Sequence, residues 1–338
     1  MKPLRISCIP KSKGYFWTVL VLLTLCAGAA GIFAGSVRIP AAEVFRALTG
    51  QDTTSVYARI VLYTRLPRVC GALLAGAAMA AAGAIIQTAL DNPLASPGVI
   101  GVNSGAGLAV AILCAVAPSA QRWAPAAAFL GALVSALLVM GLAFFAGASK
   151  MTVVLAGVAL SNLFSALIDG VVTVAPDALM GVTDFRIGGF SGVSIQRLIP
   201  AAAAIGCGLI PVFFMTREMD ILALGGDVAQ SLGLPVTKVR LLLLLLAAML
   251  TGAAVSFAGL LGFVGLIVPH AMRRFVGQEH GRLLAASALG GGFFALVCDL
   301  LARVVFAPYE IPVGIVLSVA GCPFFLWLLL RRKGRNHD

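Results

Sequence analysis

Nine long stretches of this chain contain no Asp, Glu, Lys or Arg: residues 14–37, 69–90, 92–121, 123–149, 151–168, 198–216, 241–272, 283–298 and 311–330. A helix that crosses the hydrocarbon core of a bilayer needs roughly 20 apolar residues, and runs of this length supply them. A soluble domain of 338 residues needs far more surface charge than the 11% carried here, and 60% of the chain is hydrophobic. In lipid every backbone polar group must be satisfied within the chain, which long apolar runs achieve as helices. The fold class expected is therefore an all-α membrane protein.

The run 241–272 is too long for one crossing and contains Gly259, Gly262, Gly265 and Pro269, which break helices. It reads as a span to about residue 258, a turn, and a short helix over about 265–276. That brings the expected total to ten transmembrane helices. Charge favours an even number. Lys2, Arg5, Lys11 and Lys13 precede the first run and Arg331, Arg332, Lys333 and Arg335 follow the last, so both termini are expected in the cytoplasm. With ten spans every lysine falls inside, and the outer loops carry arginine alone. The net charge of +11 is then explained by basic cytoplasmic loops rather than by nucleic acid. Residues 14–34 also fit a signal peptide, but its removal would leave nine spans and strand the basic C-terminus outside.

A block recurs. Gly76-Ala77-Ala78-Met79-Ala80-Ala81-Ala82-Gly83 and Gly252-Ala253-Ala254-Val255-Ser256-Phe257-Ala258-Gly259 agree at five of eight positions, and Pro93 and Pro269 follow each at the same distance. Five crossings separate the copies, so they point opposite ways. This is the pattern of a transporter with an inverted internal repeat, with halves at about 57–172 and 237–330. Small residues at helical spacing also let membrane helices pack closely, and the block serves that purpose under either reading.

The most hydrophilic internal stretch, about 216–236, falls on the cytoplasmic side. It reads as two short helices, one over about Met219–Leu224 and one capped by Asp227 and stopped at Gly233 before Pro235. Its apolar residues suit either a docking surface for a partner or packing against the chain's own helix ends. A phosphate-binding loop needs a Gly-Lys pair, and the chain has none. If ATP drives this protein, a separate subunit binds it. The seven cysteines form no CxxC pair and the three histidines no ligand spacing, so no metal site is expected. No HExxH, GxSxG or His/Asp cluster points to an enzyme.

Several ordered motifs, covering about residues 15–333, resemble the FecCD-type permeases of iron-chelate and vitamin B12 ABC importers. These are Arg65-Leu66-Pro67-Arg68, the first Gly-Ala block, Asp91-Asn92-Pro93-Leu94-Ala95-Ser96-Pro97-Gly98, Leu224-Gly225 through Leu232-Gly233-Leu234-Pro235, and Gly262-Phe263-Val264-Gly265-Leu266-Ile267-Val268-Pro269-His270. The resemblance implies the type II ABC importer permease architecture. It also implies a second copy of the chain (or a close paralogue) across the pathway, two ABC ATPase subunits carrying ATP and Mg, and an extracytoplasmic substrate-binding protein. The chain itself would bind no cofactor and catalyse no covalent step, and it would lie in the cytoplasmic (inner) membrane.

Residue by residue, the resemblance gives ATPase coupling to Leu222, Leu224, Gly225, Gly226, Asp227, Ala229, Leu232 and Gly233. It gives binding-protein docking to Arg65, Arg68 and Arg303, whose guanidinium forks suit carboxylates. Asp299 lies four residues before Arg303 and could simply neutralise it, and Arg65 and Arg68 could anchor a helix end at headgroup level. Asn92 and Leu94, beside Pro93, are expected at a cytoplasmic gate. Ser149 and Lys150 align with its second element, although Lys150 stands where the family has a small polar residue and also reads as an ordinary inside lysine. Asp169 could couple transport to an ion or stay solvated near the outer surface, and His270 is expected to be structural. The expected cargo is an iron chelate, ferric siderophore or haem, with cobalamin the alternative. A secondary transporter driven by an ion gradient is the alternative of another class.

Overall fold

The computed structural model of the chain describes residues 13–146 and 149–333, with side chains to residue 326. The basic clusters at the two ends, on which the expected orientation rests, lie outside the described side chains. The helices, in chain order, are α1 (Lys13–Phe33), α2 (Ala41–Leu48), α3 (Val56–Ile60), α4 (Leu66–Ala89), α5 (Val102–Val116), α6 (Ala124–Phe145), α7 (Lys150–Val174), α8 (Leu179–Ile187), α9 (Ile195–Phe214), α10 (Thr216–Leu222), α11 (Gly226–Ser231), α12 (Val236–Ala258), α13 (Val264–Val276), α14 (His280–Val304) and α15 (Val313–Lys333). No strand occurs among the described residues.

Among the described residues seven helices are long and apolar enough to cross a membrane: α1, α4 (continuous with α3 through a π-helical turn at Val61–Arg65), α6, α7, α9, α12 and α14. Shorter apolar helices add Val102–Val116 and Val313–Leu326, and α13 has only 13 residues. The expected ten is thus not reached by length and composition alone: among the described residues seven helices qualify, α5 and α13 are shorter, and α15, 21 residues long, is described with its side chains only to Leu326. Glycine-bearing turns at both α5 and α13 take up chain that would otherwise have lengthened the helix.

Helix α4 is the axis of the molecule and is buried along most of its length. It packs on α14, α12 and α13. A Cβ at Gly76 would stand 2.2 Å from the Gly291 carbonyl oxygen, and one at Gly83 would stand 1.8 Å from that of Gly265. Backbones in such contact exclude every side chain larger than hydrogen. The Gly-Ala block therefore does the packing job that its composition suggests.

The fold does contain an internal repeat, but the recurring block does not mark its register. The first copy lies within α4, while the second runs off the end of α12. Pro93 sits in a turn, whereas Pro269 lies inside α13. The packing instead repeats when α4, α5, α6 and α7 are exchanged for α12, α13, α14 and α15. α4 meets α14 as α12 meets α6; α5 meets α6 as α13 meets α14; α7 meets α5 and α6 as α15 meets α13 and α14. In this register Gly101 matches Phe263, and each is the left-handed residue that starts the shorter helix (φ 74° and 63°). Gly157 likewise matches Gly321: each lets its helix touch that turn, with an added Cβ 2.1 Å from the Val99 carbonyl oxygen and 2.2 Å from Phe263 respectively. Phe263 holds its position without being glycine, so the sequence hides this correspondence.

Candidate functional sites at the two ends of helix α4

The end of α4 expected outside carries a buried ionic cluster. Arg68 Nε lies 2.9 Å from Asp299 Oδ1, and its Nη1 lies 2.6 Å from Glu310 Oε2. Arg303 Nη2 approaches Asp299 Oδ2 at 2.9 Å, an ion contact outside hydrogen-bond geometry. Ser36 Oγ donates to Glu310 Oε1 at 2.9 Å. The remaining donors close the end of α1, whose last carbonyls have no partner within the helix. Arg65 Nη1 donates to Ile32 O and Phe33 O at 2.8 and 2.9 Å, and its Nη2 donates to Val37 O. Arg303 Nη1 donates to Gly31 O and Ala34 O at 3.0 and 3.3 Å. Positive charge at a helix C-terminus also complements the helix dipole.

The three arginines expected at a docking surface are thus brought together, but as a foundation. They are only 4, 5 and 2% exposed, and their guanidinium groups face carboxylates and carbonyls of their own chain. The neutralisation of Arg303 by Asp299, read from their spacing, is present. Glu310 was not singled out from the sequence; its signal was a lone acidic residue closing an outer loop. Burial alone would raise the Glu310 carboxyl, but the hydrogen bond and charge of Arg68 and the Ser36 hydroxyl outweigh burial and hold it below the ordinary glutamate range.

The opposite end of α4 is gripped by three helices. Arg240 Nε of α12 donates to Ala89 O at 3.0 Å. Gln87 Nε2 donates to Gly265 O at 3.2 Å while its Oε1 accepts from Arg273 of α13. Thr88 Oγ1 lies 2.7 Å from His280 Nε2 of α14. Beyond α4 the chain turns through Asp91, a non-glycine residue at φ 48°. Asn92 Oδ1 accepts from Leu94 N at 3.0 Å, which sets the bend before Pro97. Ser149 caps α7 by accepting from Thr152 N at 3.1 Å. Lys150 Nζ lies 2.9 Å from Asp91 Oδ2. The two segments expected at a gate, Asn92–Leu94 and Ser149–Lys150, are therefore joined, through an aspartate that sequence reasoning passed over.

The expected coupling segment forms α10 and α11, but Asp227 does not cap α11: Gly225 occupies that position at φ 106° and Asp227 falls in the first turn. Its apolar residues divide. Met219, Leu222 and Ala229 are buried, α10 lying on α4, α9 and α14 and α11 on α12. Leu224, Val228 and Leu232 remain exposed, with Gly225 and Gly226 between the first two and Gly233 after the last. Asp169 is exposed near Arg186, at 3.9 Å. His270 sits edge-on to Phe324.

Comparison with known proteins places this architecture. The pattern of the FecCD transport family matches residues 20–331. The chain belongs to that family. A relative in Bacillus subtilis, YfhA, named a probable siderophore transport system permease protein, is 37% identical, with 98% of this chain and 99% of that protein aligned. HmuU of Yersinia pestis, named a hemin transport system permease protein, is 36% identical over 95% of each chain. Among solved structures, an inward-facing metal-chelate type ABC transporter superposes with a TM-score of 0.81 at 25% identity, covering 94% of this chain and 99% of that one. The expected family and all-α permease fold are borne out.

Proposed function

We propose that this FecCD-family chain is the membrane-spanning subunit of an importer that carries an iron chelate, ferric siderophore or haem, inward at the expense of ATP bound by a separate subunit. The observation that carries the reading is the full-length family match, with relatives named for siderophore and hemin transport. The exposed Leu224, Val228 and Leu232 form the face on which a cytoplasmic ATPase would seat, with ATP and Mg on that partner. Two such chains would enclose the pathway between them. A binding protein outside would deliver the cargo, meeting the loops that Arg65, Arg68 and Arg303 hold in place. Both termini would be cytoplasmic and the membrane the inner one.

An ion-gradient mechanism needs an ionisable group free to load and unload in the membrane. Asp299 is fixed between Arg68 and Arg303, and Asp169 is an exposed surface group, so neither supports that alternative. The test is reconstitution with the cognate ATPase and binding protein in liposomes. ATP-dependent, vanadate-sensitive uptake of haem or of a radioiron-labelled ferric hydroxamate is expected. Uptake driven by a proton or sodium gradient without ATP would overturn the reading.

A further inference from the structure

The surface segment α10 is tied to the gate end of α4 by one line of side chains. Asp220, on α10, accepts through Oδ1 from the backbone N of His280 at 2.9 Å and meets His280 Nδ1 at 2.7 Å. His280 is the first residue of α14 and only 4% exposed. The other edge of its ring places Nε2 2.7 Å from Thr88 Oγ1, a buried hydroxyl in the last turn of α4. Three residues later the chain enters the left-handed turn at Asp91 and the segment Asn92–Leu94. We propose that Asp220, His280 and Thr88 act as a positioning relay that carries movement of the α10–α11 segment to the inner gate. The proposal rests on the importer reading, since it supposes that a partner moves α10.

The residue types suit the task. A carboxylate only accepts, so it fixes a proton on Nδ1 and with it the face that the ring presents to Thr88. In the neutral ring Nε2 then accepts the Thr88 hydroxyl proton. In the charged ring it donates to Oγ1, and the hydroxyl turns its proton to Ala84 O, 3.0 Å away. Imidazole is rigid, so displacing Asp220 displaces the whole line or breaks a buried bond. An unpartnered buried polar group shifts an equilibrium by about tenfold, enough to couple two sites. Arg240 and Arg273 hold the same turn of α4 from α12 and α13, so the relay acts on an end that is already braced. The competing description is that Asp220 merely caps α14. A cap needs Asp220 and the His280 backbone, and it has no use for the Thr88 hydroxyl.

The test uses the full complex with its ATPase subunits in nanodiscs, with the seven native cysteines replaced by alanine and a reporter at Gly98→Cys. Gly98 is exposed four residues beyond Leu94, and an added Cβ there meets nothing closer than 3.7 Å. The labelling rate by a water-soluble maleimide is measured with and without ATP, Mg and vanadate. In the parent the nucleotide is expected to change that rate about tenfold, in the range of ordinary allosteric coupling. Thr88→Val and Asp220→Ala are expected to reduce the change to less than about twofold while ATP hydrolysis stays within about twofold of the parent. Thr88→Ser and Asp220→Asn, which restore a hydroxyl and an acceptor oxygen, should recover most of the response. A full response in Thr88→Val overturns the relay. Lost hydrolysis in Asp220→Ala with a normal Thr88→Val also overturns it and identifies a cap. Absence of any nucleotide response in the parent overturns the ATP-driven reading itself, and the relay with it.

Discussion

Lys150 Nζ stands 2.9 Å from Asp91 Oδ2, linking two turns 59 positions apart in the chain. Each residue borders one element of the expected gate: Asp91 precedes Asn92, and Lys150 follows Ser149. The pair is partly open to solvent, at 35 and 59% side-chain exposure, so its net contribution is about 0–1 kcal/mol and falls with salt. A contact of that strength opens and closes at little cost.

Lys150→Met is therefore expected to lower thermal stability by less than about 1 kcal/mol while raising nucleotide-independent access to the inner mouth. Maleimide labelling at Gly98→Cys, an exposed position four residues beyond Leu94, reads changes in that segment. High salt should produce the same rise in the parent and no further rise in the variant.

The ionic cluster at the N-terminal end of α4 should behave in the opposite way. Asp299 has no measurable exposure and lies between two guanidinium groups. Removing one charge of a buried pair typically costs about 3–5 kcal/mol, because the other is left uncompensated. Asp299→Asn, which leaves the buried Arg303 guanidinium without its ion partner, is expected to show a loss of that order in thermal unfolding in detergent. Arg186→Met, whose partner Asp169 is 72% exposed and 3.9 Å away, should change stability by no more than about 0.5 kcal/mol. Equal stabilities for the two variants would mean that the cluster is not structural.

Glu310 makes the loop between α14 and α15 sensitive to acid. Its carboxyl is held below the ordinary value of 4.5 in the folded chain, so the ionised form is favoured by folding. That contribution is complete above the ordinary value and is lost as pH falls through the lower, folded value. A nitroxide at Tyr309, which is 80% exposed, should gain mobility as pH falls below the ordinary glutamate range. In Glu310→Gln the mobility should be higher throughout and independent of pH over that range.

What the sequence made legible followed from one-dimensional signals. The absence of charge marked the helices. The glycines and proline of 241–272 marked the break, and the short helix expected over about 265–276 is Val264–Val276. The polar stretch 216–236 showed its two short helices because Gly225, Gly226 and Gly233 punctuate it. Partnerships between distant residues left no such mark: Arg68 finds Glu310 across 242 positions and Thr88 finds His280 across 192. The register of the internal repeat was misread for a related reason. Small residues recur wherever membrane helices touch, so identity among them tracks contact rather than ancestry, whereas the matched turn at Gly101 and Phe263 is conserved in backbone shape and not in residue.

The close approach of α4 to α13 gives the last prediction. At Gly83 an added Cβ would lie 1.8 Å from the Gly265 carbonyl oxygen, a backbone atom that cannot rotate away. The substitution Gly83→Ala must therefore separate the two helices, and α13 is the element whose Arg273 and Gly265 hold Gln87 near the C-terminal end of α4, beside the expected gate. Overpacking of this kind costs about 1–3 kcal/mol or more, and the displacement should also raise the basal labelling of Gly98→Cys. Gly141 lies within α6 with nothing within 4 Å of its added Cβ. There alanine relieves the entropic cost of glycine in a helix, and Gly141→Ala should be stabilising by roughly 0.5–1 kcal/mol. Thermal unfolding of the two variants side by side separates the readings. A neutral Gly83→Ala would mean that α4 and α13 do not touch as described, and that the grip on Gln87 is not what sets the gate.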